Sequence, residues 1–258
     1  MKDQSTVPQE EKTIITKDQF LKLNERAAHE MSLDQKLQSK ALEVLIEADH
    51  HRWIHQTTWF GEPLLNLPQD MFAIQEIVWR TRPDFIIEVG VAWGGGMLFE
   101  ATLLEILGGQ KVIGVDIFIP PDLRQRLSNH GRLSERLVLI EGSSTSPDTL
   151  SQVKALVKGF HKVLVILDSY HTHEHVLNEL RSYAPLVQKG QYLICGDTVV
   201  EHIPPQLHHR VLPWGPGNNP ATAVKEFLSE SDRFVVDAQI DQRLLFSCHP
   251  GGYLLAVK

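Results

Sequence analysis

Short apolar runs alternate with amphipathic segments from residue 85 onward. Five runs have the length and β-branched content of buried strands: Phe85–Val89, Lys111–Asp116, Leu137–Glu141, Val163–Asp168 and Gln191–Asp197. Four segments with helical spacing separate them: Gly94–Leu107, Pro121–His130, Ser146–Val157 and His173–Leu186. This alternation predicts parallel strands joined by right-handed crossovers, and therefore a doubly wound α/β sheet.

The regions on either side of this alternating segment have different patterns. Residues 17–50 have apolar positions at helical spacing, residues 51–68 form an aromatic, turn-rich linker, and Asp70–Arg80 is again an amphipathic helix. We therefore divide the chain into an N-terminal helical extension with its linker, residues 1–70, and a main domain, residues 71–258.

The end of the chain predicts a capped helix and late strands. Asn219 is a typical N-cap for a helix that opens with Pro220 and runs to about Ser231. Three later segments are typical of strands, with an antiparallel pair among them: Phe234–Ala238, Leu244–Cys248 and Tyr253–Val257.

Composition narrows the class of protein. The 258 residues are 42% hydrophobic and carry a formal net charge of -7, which suits one large α/β domain and argues against a general nucleic-acid binder. No run reaches 18 apolar residues and no apolar signal segment opens the chain, so we expect no membrane span. Two cysteines outside any CxxC pair, Cys195 and Cys248, predict buried reduced thiols and a cytoplasmic protein.

A glycine-rich turn follows the first predicted strand of the α/β sheet. The segment reads Glu88-Val-Gly90-Val-Ala-Trp-Gly94-Gly95-Gly96. Glycines let a ligand approach the backbone closely, and the helix that follows offers free N–H groups to an anion. The spacing E-x-G-x-x-x-G differs from the dinucleotide pattern G-x-G-x-x-G. It suits a nucleoside with a charged amino-acid tail better than a pyrophosphate, and we assign Glu88, Gly90, Gly94 and Gly95 to this ligand.

Polar residues also end the next two strands. Asp116 closes the second strand, where a carboxylate can accept hydrogen bonds from two ribose hydroxyls. Gly142, Ser143 and Ser144 follow the third strand, where an adenine ring would lie. We therefore add Asp116 and Ser143 to the predicted nucleoside site.

Two further aspartates predict a metal site. Asp168 ends the fourth strand and Asp197 ends the fifth. On neighbouring strands about 4.8 Å apart their carboxylates would converge, and two ionised acids at that distance repel each other. A hard divalent cation such as Mg²⁺, Ca²⁺ or Mn²⁺ resolves this repulsion. The cation could lower the pKa of a substrate hydroxyl and aim its oxygen at a methyl donor.

A histidine cluster follows Asp168 in the sequence D-S-Y-H-T-H-E-H. His171 lies just past the metal aspartate, where it could serve as a general base or a substrate contact. The pair His173 and His175 also permits an iron interpretation, because two histidines and one carboxylate form the facial triad of non-haem oxygenases. Residues two apart at a helix start point in different directions, which favours a surface or packing role for this pair.

Several segments together resemble the cephalosporin hydroxylase and rhamnosyl O-methyltransferase family. They are WFGEP from Trp59, PQD from Pro68, IEVGVAWGGG from Ile87, LDSYHTHEHV from Leu167, GQYLICGDT from Gly190, WGPGNNPATAVKEFL from Trp214 and PGGYL from Pro250. The resemblance extends over roughly residues 53–258. It implies a Rossmann-like methyltransferase fold, S-adenosylmethionine as cofactor, with Asp168 among its contacts, and a Mg²⁺ site at Asp168 and Asp197.

This chain departs from the family at one position of the metal site. The family often has an acidic residue just before the second aspartate, and this chain has Gly196. Water, Thr198 or Glu201 could supply the missing ligand, and we take Thr198 as the third metal residue.

Three functions remain open from the sequence. The first is O-methylation of a hydroxyl on a sugar or secondary metabolite, on which Trp53, Trp59, Phe60 or Trp214 could stack. The second is an iron-dependent hydroxylase, and the third is a non-catalytic protein that retains the fold. The helical N-terminal extension and the aromatic residues also predict self-association into a homo-oligomer.

Overall fold

A computed structural model describes residues 15–204 and 212–258. Two helices open the described chain, α1 (Lys17–Leu33) and α2 (Gln35–Asp49). The single helical segment expected over residues 17–50 is interrupted at Asp34, whose side chain accepts a hydrogen bond from the Leu37 amide and so caps α2. No helix in the described ranges has the length and apolar content needed to cross a lipid bilayer.

The predicted linker contains a small hairpin. After a 3-10 turn at Trp53–Gln56, strands β1 (Thr57–Trp59) and β2 (Glu62–Leu64) pair in antiparallel fashion. The Trp59 indole packs edge-on against Phe99 and donates a hydrogen bond to Thr102 Oγ1 at 3.1 Å. The hairpin is therefore fastened to the main domain.

Seven strands form the central sheet. They are β3 (Phe85–Val89), β4 (Lys111–Asp116), β5 (Leu137–Glu141), β6 (Val163–Leu167), β7 (Tyr192–Cys195), β8 (Phe234–Val236) and β9 (Tyr253–Ala256). Their spatial order is β5-β4-β3-β6-β7-β9-β8, with the first five strands parallel and β9 antiparallel to both of its neighbours. This confirms the mostly parallel, Rossmann-like sheet with late antiparallel strands.

Helices cover both faces of the sheet. They are α3 (Pro68–Thr81), α4 (Gly95–Leu107), α5 (Pro121–Ser128), α6 (Pro147–Leu156), α7 (His173–Tyr183), α8 (Pro220–Glu230) and α9 (Ala238–Asp241). Side chains of α3, α4 and α5 form one buried cluster, and those of α6, α7 and α8 form the other. The neighbouring β3 residues Ile86 and Ile87 are both fully buried, one in each cluster, because successive strand residues point to opposite faces.

One of the late strands is absent from the described chain. Leu244–Cys248 has an irregular conformation instead of the expected strand, and Ala238 begins α9 instead of extending β8. The reason lies in a buried acid: Asp70 accepts hydrogen bonds from Ser247 Oγ at 2.6 Å and from the Cys248 amide at 2.8 Å. The backbone donor is thus satisfied by a side chain, without a strand partner.

Asn219 fixes the start of α8, as its sequence position predicts. Its side chain is fully buried and accepts hydrogen bonds from the amides of Ala221 and Thr222 at 2.9 and 3.3 Å. Its Nδ2 donates to the Gly215 carbonyl at 2.8 Å and to the Glu201 carboxylate. One residue therefore joins α8 to the loop that precedes it.

We expect Asn219→Ala to lower the free energy of unfolding by about 2–4 kcal/mol, because it removes a helix cap and leaves buried partners unsatisfied. Ser146 provides a matched control, since its hydroxyl caps α6 by accepting from the Thr149 amide. Ser146→Ala should cost only about 1 kcal/mol. Urea denaturation of both variants measures the difference, and equal losses would contradict this role of Asn219.

Candidate cofactor and metal site

Four parallel strands bring the predicted site residues to one edge of the sheet. Gly90 follows β3, Asp116 ends β4, Asp168 follows β6, and Asp197 lies two residues after β7. Two cavities open at this edge, a large one of about 660 Å³ and a small one of about 380 Å³. Gly90 and Asp168 line both cavities, so the aspartate lies where the two meet.

The β3 turn has room for no side chain at Gly90. Its φ is +100°, and a β-carbon there would lie 2.1 Å from the carbonyl oxygen of Asp168. Any other residue would push β3 and β6 apart. The glycine therefore holds the turn directly against the Asp168 backbone.

The next glycines form the start of α4. Gly94 has a φ of +84° and is the N-cap, and Gly95 and Gly96 form the first turn. A β-carbon on Gly95 would lie 2.3 Å from the Pro63 carbonyl oxygen at the β1–β2 hairpin. The amides of a helix's first turn have no partner within the helix, so this end can bind a carboxylate.

The small cavity is lined by Asp116 and Ser143, the residues assigned to the ribose and the adenine. Asp116 Oδ2 accepts hydrogen bonds from the amides of Val91 and Ala92 at 2.9 and 3.3 Å, which anchors the carboxylate to the glycine turn. Each carboxylate oxygen has further lone pairs for a ribose hydroxyl. Ser143 lines the same cavity. The arrangement can therefore accept a ribose beside Asp116 and a base beside Ser143.

Asp168, His171 and Asp197 form the candidate metal cluster. One ligand atom from each residue lies within 4.8 Å of the other two, and His171 Nε2 is 3.4 Å from Asp197 Oδ2. Asp168 Oδ1 is buried and has no hydrogen-bond partner among the described residues. Burial raises the pKa of Asp168 well above its usual range, and the charge of Asp197 raises it further. A divalent cation would relieve both effects, so the residues fit a metal.

A left-handed backbone conformation sets the position of Asp197. Asp197 has a φ of +51°, a strained value for a residue with a side chain, and its amide donates to His249 Nδ1 at 3.1 Å. His249 is almost fully buried and lies 52 residues further along the chain. No local pattern marks His249, because its contact with Asp197 forms only when residues 247–249 are held in place by Asp70.

Thr198 is in a poor position to bind the metal. It is buried, and its hydroxyl donates to the Pro250 carbonyl at 2.8 Å. The alternative Glu201 accepts from the Gly217 amide at 2.9 Å and from Asn219, and these hydrogen bonds lower its pKa. Neither residue lines the cavity that Asp168, His171 and Asp197 share. His171 is instead the third residue whose ligand atom lies close to the two aspartates.

The histidine pair after His171 does not join this cluster. His173 Nδ1 lies 2.8 Å from Thr222 Oγ1 and its Nε2 lies 3.1 Å from Glu226, on α8. His175 pairs with the buried Glu179 at 3.0 Å, and this hydrogen bond raises the pKa of His175. These contacts agree with the packing role that the sequence favours for the pair, and they do not form the two-histidine iron triad that the H-x-H sequence permits.

Among the four aromatic candidates, Trp214 lines the large cavity. Its ring packs edge-on against His171, with centroids 5.0 Å apart, and against Tyr170. Trp53 packs against Phe246, and Trp59 is held by Thr102 and Phe99. Phe60 packs against Trp59, with centroids 5.2 Å apart, and does not line the cavity. These contacts give the other three residues a packing role, and they leave Trp214 as the residue that can face a substrate.

Comparisons with known proteins identify the family. The family model described as "Rhamnosyl O-methyltransferase/CmcI" matches residues 51–257. The chain belongs to this family. A rhamnosyl O-methyltransferase from Mycobacterium leprae is 30% identical over 223 residues, covering 81% of this chain and 90% of that protein. Its counterpart in Mycobacterium tuberculosis H37Rv is 28% identical over 220 residues, covering 81% and 84%.

Solved structures in the family share the fold. A CmcI structure with S-adenosylhomocysteine superposes with a TM-score of 0.55 at 20% identity, covering 80% of this chain and 84% of that one. A CmcI structure with Mg and S-adenosylmethionine superposes with a TM-score of 0.54 at 22% identity, covering 79% and 78%. The family membership thus confirms the resemblance seen in the sequence motifs, and the superpositions confirm the fold.

Gly196 gives a direct test of the metal cluster. A β-carbon at this position would lie 2.3 Å from Asp168 Oδ1, so Gly196→Ala should displace the carboxylate and weaken Mn²⁺ binding about tenfold or more. Gly215→Ala is the matched control, because Gly215 lines the same cavity and has open space at its β-carbon. Electron paramagnetic resonance of free Mn²⁺ measures both affinities. Unchanged binding in the Gly196 variant would remove Asp168 from the metal site.

Proposed function

We propose that the protein is an S-adenosylmethionine-dependent O-methyltransferase, assisted by a divalent metal and acting on a hydroxyl of a sugar or another small molecule. The observation that carries this proposal is the position of Asp168. Its backbone touches the Gly90 turn, and its carboxylate faces Asp197 in the cavity next to the nucleoside site. The family membership supports the same chemistry.

Each part of the cofactor has candidate binding residues in the site. We propose that Asp116 binds the ribose hydroxyls, that Ser143 lies near the adenine, and that the first turn of α4 at Gly94 and Gly95 binds the carboxylate of the methionine. Gly90 lets the sulfur approach the backbone beside Asp168. The methyl group would then project into the large cavity.

The reacting hydroxyl would lie between the acidic pair and His171. A cation held by Asp168 and Asp197 would supply a positive charge that lowers the pKa of this hydroxyl. His171 is fixed between Asp197 and the Trp214 ring, and it accepts the hydroxyl proton as general base. Asp197 stabilises the resulting imidazolium. The remaining contribution is alignment of the oxygen with the methyl group.

The negative charge of the large cavity restricts which methyl acceptors can bind there. Its described lining residues include five acids and no lysine or arginine: Asp49, Glu88, Glu100, Asp168 and Asp197. Apolar side chains such as Leu64, Ile74 and Val199 form much of the remaining wall. A phosphorylated or nucleotide-linked sugar would be repelled by this lining. We therefore propose an uncharged acceptor with an apolar part, and an aryl α-rhamnoside is a suitable probe.

Two variants separate the metal site from the base. Asp168→Asn should weaken Mn²⁺ binding at least tenfold and reduce methyl transfer, since it removes a charged ligand. His171→Ala should leave Mn²⁺ binding within about threefold and reduce turnover about 10²- to 10⁴-fold. Transfer of a labelled methyl group to the aryl α-rhamnoside measures turnover.

Isothermal titration calorimetry of the wild-type protein with S-adenosylhomocysteine is the basic control. Absence of binding would exclude the proposed function. Equal loss of Mn²⁺ binding in both variants would show that His171 acts as a ligand and would remove it as the base.

We also propose that the chain forms a homo-oligomer through α1. No residue of α1 is buried, and Phe20, Leu21 and Leu23 are each about half exposed. An isolated helix of this length is marginal in water, so a partner surface would stabilise it.

The double variant Phe20→Ser/Leu23→Ser should therefore lower the molar mass measured by analytical ultracentrifugation. Lys22→Ser on the same helix is the control and should leave the mass unchanged. A wild-type protein that sediments as a monomer would exclude the proposal.

Two further predictions stay open. Both cysteines are free and buried, which supports the proposed cytoplasmic location. The division into residues 1–70 and 71–258 also stays a proposal, and the attachment of the β1–β2 hairpin to α4 places some of the first segment against the main domain.

A further inference from the structure

The large cavity contains a second acidic feature, the carboxyl pair Glu88 and Glu100. Glu88 lies in β3 and Glu100 lies in α4, one turn after Gly96. Glu100 is 1% exposed, and both residues line the cavity. The Oε2 atoms of both are buried without a hydrogen-bond partner among the described residues. Nothing in the methyl-transfer step described above uses Glu100.

Such a pair is unstable as two bare charges. Burial raises the pKa of Glu88 well above its usual range, and the nearby charges of Glu100 and Asp116 raise it further. Burial also raises the pKa of Glu100 well above its usual range. Buried carboxylates require either a proton or a cationic partner. The described lining of this cavity has no lysine or arginine, so a cationic ligand group that enters the cavity is a suitable partner for the pair.

The position of the pair indicates which part of a ligand arrives there. A β-carbon on Gly96 would lie 2.2 Å from Glu88 Oε1, so this carboxyl group lies against the first turn of α4. The same turn offers its amides to a carboxylate. In an α-amino acid the carboxylate and the ammonium share one carbon atom. A ligand carboxylate at the helix start therefore brings an ammonium close to Glu88.

We propose that Glu88 and Glu100 together bind the α-ammonium group of the cofactor's methionine moiety, which makes Glu100 a further cofactor-binding residue. This inference rests on the proposed function. The ammonium donates charge-assisted hydrogen bonds to the unpaired carboxyl oxygens, which are stronger than neutral ones. The contact gives the buried pair its missing partner and selects a cofactor with an intact amino group.

A comparison of two ligands isolates this contact. S-adenosylhomocysteine carries the ammonium, and its deaminated analogue has the same nucleoside, thioether and carboxylate with hydrogen in place of the amino group. We expect the wild-type protein to bind S-adenosylhomocysteine about tenfold or more tightly than the analogue. In Glu100→Gln this ratio should fall to about one to three, mainly through weaker binding of S-adenosylhomocysteine. Isothermal titration calorimetry measures all four affinities.

A second variant and a control complete the design. Glu88→Gln should lower the same ratio, and it serves if Glu100→Gln fails to fold. Glu105 provides the matched control, because it lies on the same helix and its carboxylate pairs with Arg132 and Arg136. Glu105→Gln should leave the ligand ratio unchanged.

The outcomes distinguish failure of the proposed ammonium contact from failure of the proposed function on which it rests. If the wild-type protein binds S-adenosylhomocysteine but the folded Glu100→Gln and Glu88→Gln variants weaken both ligands equally, the pair is structural and the inference is wrong. A wild-type ratio near one overturns it in the same way. If the wild-type protein binds neither ligand, the proposed function itself fails.

Discussion

The contact between the Gly90 turn and the Asp168 backbone is the constraint on which the site depends. A β-carbon at Gly90 would lie 2.1 Å from the Asp168 carbonyl oxygen, so only glycine lets β3 and β6 end side by side. The Asp168 amide in turn donates to the Val89 carbonyl at 2.8 Å, which holds the two strand ends in register. This contact places an acid directly next to a turn that can receive a ligand. The proposed nucleoside site and the candidate metal cluster are therefore parts of one structure, and movement of either strand end would disturb both.

The second general feature is the accumulation of negative charge around one cavity. Acidic residues of α2, β3, α4 and the ends of β6 and β7 line it, and the described lining contains no lysine or arginine to neutralise them. The sum of these charges favours cations and disfavours anions. A sulfonium cofactor with an ammonium group, together with a divalent metal, supplies positive charge to several of these acids. The negative lining thus suits the positively charged cofactor and metal that we propose. The methyl acceptor is the one proposed ligand that we expect to be uncharged.

The sequence predicts the sheet well because apolar runs and turn residues are local signals. The bounds of β3, β4 and β5 match their apolar runs, and the polar residues at strand ends identify Asp116, Asp168 and Asp197 as a group. Features that depend on distant partners are missed. Leu244–Cys248 is apolar enough for a strand, but the Asp70 side chain takes its backbone donor. Glu100 has the appearance of an ordinary helix residue until α4 is packed against β3. His249 reaches Asp197 from the end of the chain, and no local pattern marks it.

Gly196 shows how the backbone limits the chemistry of the metal cluster. A β-carbon there would overlap the Asp168 carboxylate, so an acid at this position would require a different placement of Asp168. Within the proposed function, two carboxylates balance the charge of a divalent cation, whereas a third would leave the cluster negative. Gly196 also leaves the Asp168 carboxylate in the position where it lies close to His171 and Asp197. Within the proposed function, the missing acid therefore does not disable the metal site.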